Sequence, residues 1–293
     1  IEADDDAWAP QRVLWQLLEI IDTCVGEPWC TVLAAHLGDG ADDHRTGRRY
    51  ATAEHLRDLF RSYEQHRPAM LTEWAAGQDT DGAGGALEAD LHWQAELWRR
   101  LRAVLGTPSP AERLDGTCEK LVAEPTLSDL PDRLSVFGAT RLTTAQRQVL
   151  RALGEHRDVH LWLPHPSPAL WAALTTVTTV TTLTTLTTQQ PPARRRSDRT
   201  VLQVRHPLTA SLARDVRELQ LLLHDVTTVH HPGDHPSGTL LAEVQAAIRQ
   251  ERPPTQAGSA DGTIQVHACH GPPRQVEVLR EVAERLAGRA IAA

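Results

Sequence analysis

The chain has 293 residues, 41% of them hydrophobic and 23% charged, which fits one large or two ordinary soluble domains. No apolar run approaches the ~20 residues of a membrane span, and the acidic start at residues 1–6 lacks the basic and apolar regions of a signal peptide. A formal net charge of −8, from 30 Lys plus Arg against 38 Asp plus Glu, disfavours a free-standing nucleic-acid binder, because that affinity comes from cations displacing counterions from phosphates.

Four cysteines (Cys24, Cys30, Cys118 and Cys269) form no CxxC pair. They make neither a disulfide framework nor a zinc ribbon, and a reducing cytoplasm is expected. The first residue is not methionine, so a natural start upstream is expected. Lys120 is the single lysine, and every other side-chain cation in the Lys and Arg count is arginine. A P-loop needs its lysine in GxxxxGK[ST], where backbone amides cradle the phosphates and the lysine reaches the outer ones. Lys120 follows Gly116-Thr117-Cys118-Glu119 and precedes Leu121, so it belongs to no such loop. A metal-dependent nuclease core needs spaced carboxylates with ExK, whereas Glu119 and Lys120 are adjacent. GxSxG and HExxH are absent as well. These eliminations leave the chain with no catalytic residue, no metal site and no cofactor of its own.

In chain order, residues 1–130 read as a helical region. Val13, Leu14, Leu17, Leu18 and Ile21 fall at helical spacing, as do Leu91, Trp98, Leu101 and Leu105. Turn-rich breaks at residues 38–47, 77–85 and 106–110 separate the helices. Residues 131–174 change character: RLSVFGAT at 133–140, a helical stretch around 145–153 and DVHLWLP at 158–164 form a βαβ unit. That unit predicts a parallel sheet with covered faces. Residues 175–203 are a Thr, Pro and Arg-rich linker by composition, although Val177, Val180, Leu183 and Leu186 could also line one side of a helix. Residues 204–250 hold amphipathic helices at 207–223 and 239–248. A second linker spans 251–262, and within 263–293 a strand is expected over TIQVHACH (263–270), then a helix over 273–286.

Possible metal ligands have plain structural readings. The run His230-His231-Pro232-Gly233-Asp234-His235 lies in a loop with nothing to fix it. His267, Cys269 and His270 read as a buried strand end, while His156 and His160 flank a helix-to-strand change. Asp4, Asp5 and Asp6 read as a solvated start or a helix N-terminus. Eight Trp against two Phe and two Tyr is an unusual aromatic complement. Trp74, Trp93 and Trp98 either fill a helical core or offer indoles to stack on bases.

Five segments carry a resemblance. LRDLFRSYEQHRPAMLTEWAAG (56–77), WQAELWRRL (93–101), LPDRLSVFGATRL (130–142), HPLTASLARDVREL (206–219) and IQVHACHGPPRQVEVL (264–279) resemble, in order, segments of RecC. That family supplies the gamma chain of exodeoxyribonuclease V, the RecBCD helicase-nuclease. The resemblance implies an α/β, predominantly helical fold: a degenerate superfamily 1 helicase-like (P-loop NTPase-like) parallel sheet with an inserted helical region. Residues 1–130 would be 1B-like with part of 1A, residues 131–174 and 204–250 would be 1A-like, and 263–293 would open a second helicase-like domain. It also implies a non-catalytic subunit, with motor and nuclease residues on RecB-like and RecD-like partners. Such a subunit scaffolds the complex, helps split duplex DNA, channels single strands and reads Chi, away from any membrane.

For sites, the resemblance implies Asp58, Leu59 and Arg67 in the Chi-reading channel, with Arg113 near a channel arginine. Arg61 stands where the family carries an acidic residue. Arginine offers a fork to guanine, Asp accepts from an exocyclic amine and Leu contacts a base face. The same residues admit a structural reading, with Arg67 capping a helix before Pro68 and Asp58 pairing with a neighbouring arginine. The rival function is a helical adaptor without any DNA role, or a truncated remnant of a RecC gene.

Overall fold

A computed structural model describes residues 6–38, 48–174, 200–223, 226–231, 233, 237–253 and 260–291. The Thr-rich segment, Asp4, Asp5, Pro232, Asp234 and His235 therefore lie outside the described residues, as does most of the first expected turn. The chain forms two compact units, Ile1–Pro164 and His165–Ala293. Among the described residues the fold is predominantly helical with one two-stranded parallel sheet, and no described helix is long and apolar enough to cross a membrane.

The first unit is a helical bundle. Helix α1 (Pro10–Cys24) starts on a proline, whose missing N–H costs nothing at that position. It buries Val13, Leu14, Leu17, Ile20 and Ile21, one stripe of a 3.6-residue repeat. Helices α2 (Thr31–Leu37), α3 (Arg48–His66), α4 (Pro68–Ala75), α5 (His92–Leu105) and α6 (Pro110–Ala123) follow. Trp98 of α5 is fully buried, its ring 4.9 Å from Trp8 and 5.2 Å from Phe60 of α3. Trp74 is buried beside Tyr63 at 5.9 Å and donates its indole N–H to Thr80 O at 2.9 Å. The core reading of Trp74 and Trp98 is the one the structure adopts, and Trp93 is half-buried against the same core.

The breaks between helices have local causes. In the 77–86 turn, Asp81 Oδ1 accepts from the N–H groups of Ala83 and Gly85, both at 2.9 Å. Gly82 has φ +68, and a Cβ there would lie 2.6 Å from Met70 Cβ, so glycine is required. Gly106 ends α5 in the left-handed region, and Ser109 with Glu112 closes a capping box on α6.

After α6 the chain forms β1 (Arg133–Phe137), α7 (Thr144–Gly154) and β2 (Asp158–Trp162), in parallel with Arg133 opposite Asp158 and Phe137 opposite Trp162. Arg157 donates to the carbonyls of Pro125 (2.8 Å) and Ser128 (3.0 Å), pinning the approach to β1. The expectation of two covered faces needs correction. Leu134, Val136, Val159 and Leu161 are half-buried, but Arg133, Ser135, Phe137, Asp158, His160 and Trp162 are exposed. The strands alternate apolar and polar residues, which is the pattern of a sheet covered on one side.

In the second unit, α8 (Pro207–Leu212), α9 (Arg214–Leu222) and α10 (Leu240–Arg249) realise the two expected helical stretches, the first interrupted at Ala213. A buried carboxylate organises them. Glu251, with φ +49, accepts from the N–H groups of Arg205 (3.0 Å) and His206 (3.2 Å) and from Thr209 Oγ1 (2.7 Å). Helix α11 (Gly271–Ile291) covers the last expected helix. The strand expected at 263–270 is not formed. The segment pairs with no strand among the described residues, and Val266 is exposed, so alternation alone does not make a ladder. His267 and His270 are correspondingly exposed rather than part of a buried strand end.

Two outcomes follow from this packing. Trp98→Ala should destabilise the first unit by about 3–5 kcal/mol, whereas Trp15→Ala at an exposed position should stay within about 0.5 kcal/mol, as read by urea unfolding. Burial, reinforced by His230, pushes His165 from an ordinary 6.5 down to about 4. The unfolded chain then takes up the proton first, so the second unit should lose stability as pH falls from 6.5 towards 4. His165→Phe should flatten that limb in a pH series of thermal melts.

Candidate nucleic-acid interface

The C-terminal half of α3 sets the candidate site. Ala53, Leu56 and Phe60 form its core stripe, with Tyr63 continuing it and donating its hydroxyl to Gln94 Oε1 at 3.1 Å. Positions off that stripe face outwards or towards α6. Asp58 lies on the exposed side, where it accepts from Arg57 Nε at 2.9 Å and Nη2 at 2.8 Å. The structural alternative for Asp58, pairing with a neighbouring arginine, is thus present. Leu59 is half-buried against the core.

Arg67 links α3 to α4. Its N–H donates to Tyr63 O at 2.7 Å and its carbonyl accepts from Met70 N–H at 3.0 Å. It occupies the N-cap position of α4 without a side-chain cap bond. Its backbone makes the turn, while its exposed guanidinium has no hydrogen bond or ion pair among the described residues. Arg113, in the first turn of α6, points its Nη2 at Asp6 Oδ2 at 3.2 Å. The structure does not join Asp58, Leu59, Arg67 and Arg113 by hydrogen bonds or ion pairs; Asp58 and Arg113 each hold a different partner.

Glu64 is the residue that motif reasoning missed. It lies one turn beyond Phe60, flanking the buried stripe of α3. Burial pushes its carboxyl up to about 7, against the lowering effect of Arg61 and Arg113, and Asp6 adds to the rise. The spacing carried part of the signal, since four residues after Phe60 a side chain lies on the core side of the helix, while the extent of its burial comes from packing. Asp6 itself is held below the usual carboxylate range by the Trp8 N–H and by Arg113. The result is a local group of arginines, Arg61, Arg67 and Arg113, in a chain that is acidic overall. Forked guanidinium groups suit phosphate oxygens and guanine edges; among the described residues Arg61 and Arg67 have no hydrogen bond or ion pair, while Arg113 is held by Asp6.

No group of three His, Cys, Asp or Glu is placed to hold a metal ion among the described residues. All four cysteines are free, and burial with Cys24 and Glu27 nearby pushes the Cys30 thiol up to about 11, where it is a poor nucleophile.

The family described as "RecC, N-terminal domain" matches residues 1–251. The chain belongs to the RecC family. It is 43% identical over 289 residues to the "RecBCD enzyme subunit RecC" of Mycobacterium tuberculosis (strain H37Rv), covering 95% of this chain and 25% of that protein. The corresponding subunit of Mycolicibacterium smegmatis is also 43% identical over 289 residues, covering 96% of this chain and 24% of the relative. That of Escherichia coli K12 is 26% identical over 318 residues, covering 94% and 28%. The chain thus spans about a quarter of the length of these curated relatives.

Glu64 gives a test of the local electrostatics. Its folded value near 7 exceeds the ordinary 4.5, so the native state holds the proton longer and loses stability as pH rises between those values. Glu64→Gln should therefore raise the melting temperature at about pH 8 and change it little at about pH 5.

Proposed function

We propose that this chain is the N-terminal part of a non-catalytic subunit of a RecBCD-type exodeoxyribonuclease V. In that role it scaffolds the complex, helps split duplex DNA, channels single strands and recognises Chi during recombinational repair of double-strand breaks in the cytoplasm. The observation that carries the reading is the family match over residues 1–251. RecB-like and RecD-like subunits are the proposed partners, with motor and nuclease residues on those chains. The missing P-loop and carboxylate-lysine core are consistent with that division of labour.

The fold proposed on the same ground is helicase-like: residues 1–130 as 1B-like with part of 1A, residues 131–174 and 204–250 as 1A-like, and 263–293 opening a second such domain. Within it, Asp58, Leu59, Arg67 and Arg113 are the proposed channel residues. Arg67 is the strongest of them, because its guanidinium is exposed and unbonded within the described structure. Asp58 and Arg113 would have to exchange their present partners for DNA groups.

In a reconstituted complex, Arg67→Ala should spare unwinding and weaken the response to Chi, since one bidentate base contact is worth about 1–3 kcal/mol of discrimination. Loss of unwinding together with loss of assembly would make Arg67 a structural residue instead. The chain alone should show no micromolar ATP binding in a nucleotide titration, and no nanomolar binding to single-stranded DNA at physiological salt.

A further inference from the structure

The start of α7 is pinned on both sides of Arg147. Thr143 and Gln146 close a capping box at the helix N-terminus. Thr144 Oγ1 donates to His66 O at 3.0 Å, tying α7 to the end of α3, and Gln148 Nε2 donates to Asp115 Oδ1 of α6. Arg147 lies between these anchors, so bonds to two other helices fix where its side chain leaves the backbone.

That side chain is held by packing and not by an ion pair. Arg147 is half-buried, and its Nε is buried without a hydrogen-bond partner. Its terminal nitrogens are not among the buried atoms, and they carry no hydrogen bond or ion pair among the described residues. A packed stem with an open fork keeps the charge in water while the methylenes cover apolar surface. Other half-buried arginines of this unit differ, since Arg57, Arg99 and Arg102 each hold a carboxylate. Arg67, next to His66 in the chain, is the second open fork at this junction. The bond from Thr144 to His66 O sets the Cα atoms of Arg67 and Arg147 on the order of 10 Å apart, by bond lengths and helical rise. Two positive charges without an ion-pair partner thus face the same junction in a chain of formal net charge −8.

We propose that Arg147 binds a backbone phosphate of the DNA strand that reaches Arg67. The proposal rests on the reading of this chain as part of a DNA-handling subunit with Arg67 in its channel. Charge and spacing select the ligand: open guanidinium forks suit phosphate oxygens, and two forks so spaced meet separate points of one extended polyanion more readily than one small anion. The two arginines divide the work. Arg67 is exposed at a turn and keeps the reach to meet a base edge, whereas the packed stem of Arg147 offers a fixed point. A phosphate held at that point sets the register in which bases pass Arg67, and carries no sequence information itself. Little rotamer freedom remains for Arg147 to lose on binding, because its stem is already ordered.

The test is made in a reconstituted complex with RecB-like and RecD-like subunits, by measuring affinity for duplex DNA with a single-stranded tail across a series of KCl concentrations. Arg147→Gln should weaken binding roughly tenfold, equally on DNA with and without Chi. It should also make the slope of log K against log salt shallower by about 0.7–1, the effect of one lost phosphate contact. Arg147→Lys, which keeps the charge, should retain most of the affinity and the slope, and the complex should melt at the same temperature in both variants. If Arg147→Gln leaves affinity and slope unchanged while Arg67→Ala weakens the response to Chi, the phosphate contact is overturned and the DNA-handling reading stands. If neither variant changes DNA binding or the Chi response in an assembled complex, both fall together. A loss confined to Chi with an unchanged salt slope would make Arg147 a base reader, which overturns the proposal. Lost assembly or a lower melting temperature in both Arg147→Gln and Arg147→Lys would make packing its role, and the proposal fails.

Discussion

Burial of the Trp98 side chain between Trp8 and Phe60 is the contact from which the first unit's geometry follows. It ties α5 to α3 and to the segment before α1, and it fixes the rotation of α3 about its own axis. Once Phe60 points inwards, helical periodicity dictates the rest. Tyr63 continues the core stripe, Asp58 faces solvent and Glu64 is drawn to the edge of the buried zone. The candidate interface is thus a by-product of core packing. Indoles suit this role because each fills a large volume, and two of them also bond a backbone carbonyl: Trp8 to Thr107 O at 3.2 Å and Trp74 to Thr80 O at 2.9 Å.

Charge is distributed against the overall balance. A net charge of −8 gives no general attraction for DNA, and many arginines are committed to structure: Arg99 to Asp79 at 2.8 Å, Arg102 to Glu112 at 3.1 Å, and Arg157 to two carbonyls. Among the described residues Arg61 and Arg67 are not so committed. Positive charge without a protein partner among the described residues is therefore local, and the raised value of Glu64 reduces the opposing negative charge near neutrality.

The two units solve the same problem with different means. The first covers its helices with a continuous aromatic and aliphatic core. Among the described residues of the second, buried polar groups are prominent. Arg217 donates from Nη1 to Thr209 O at 2.8 Å, and Glu251 accepts three hydrogen bonds that gather 205–209 around one carboxylate. Satisfied networks of this kind specify geometry strongly, because any rearrangement strands a charged group away from water.

Local features were legible in the sequence: the stripes of α1 and α5, the βαβ order of residues 133–162 and the turn glycines. Each depends on spacing within a short stretch, which short-range sterics and hydrogen bonding enforce. The RecC resemblance was legible too, from five segments in order along the chain. Tertiary structure alone decided the rest. Whether Arg113 is free or held by Asp6, and how far Glu64 is desolvated, depend on residues brought together from distant positions. The strand expected at 263–270 shows the same limit, since alternation supplies a face but only a neighbouring strand supplies the hydrogen bonds. The outer aromatic row on β1 and β2 is likewise a product of register. Phe137 and Trp162 are 25 positions apart in the chain and become neighbours only when the parallel ladder aligns them.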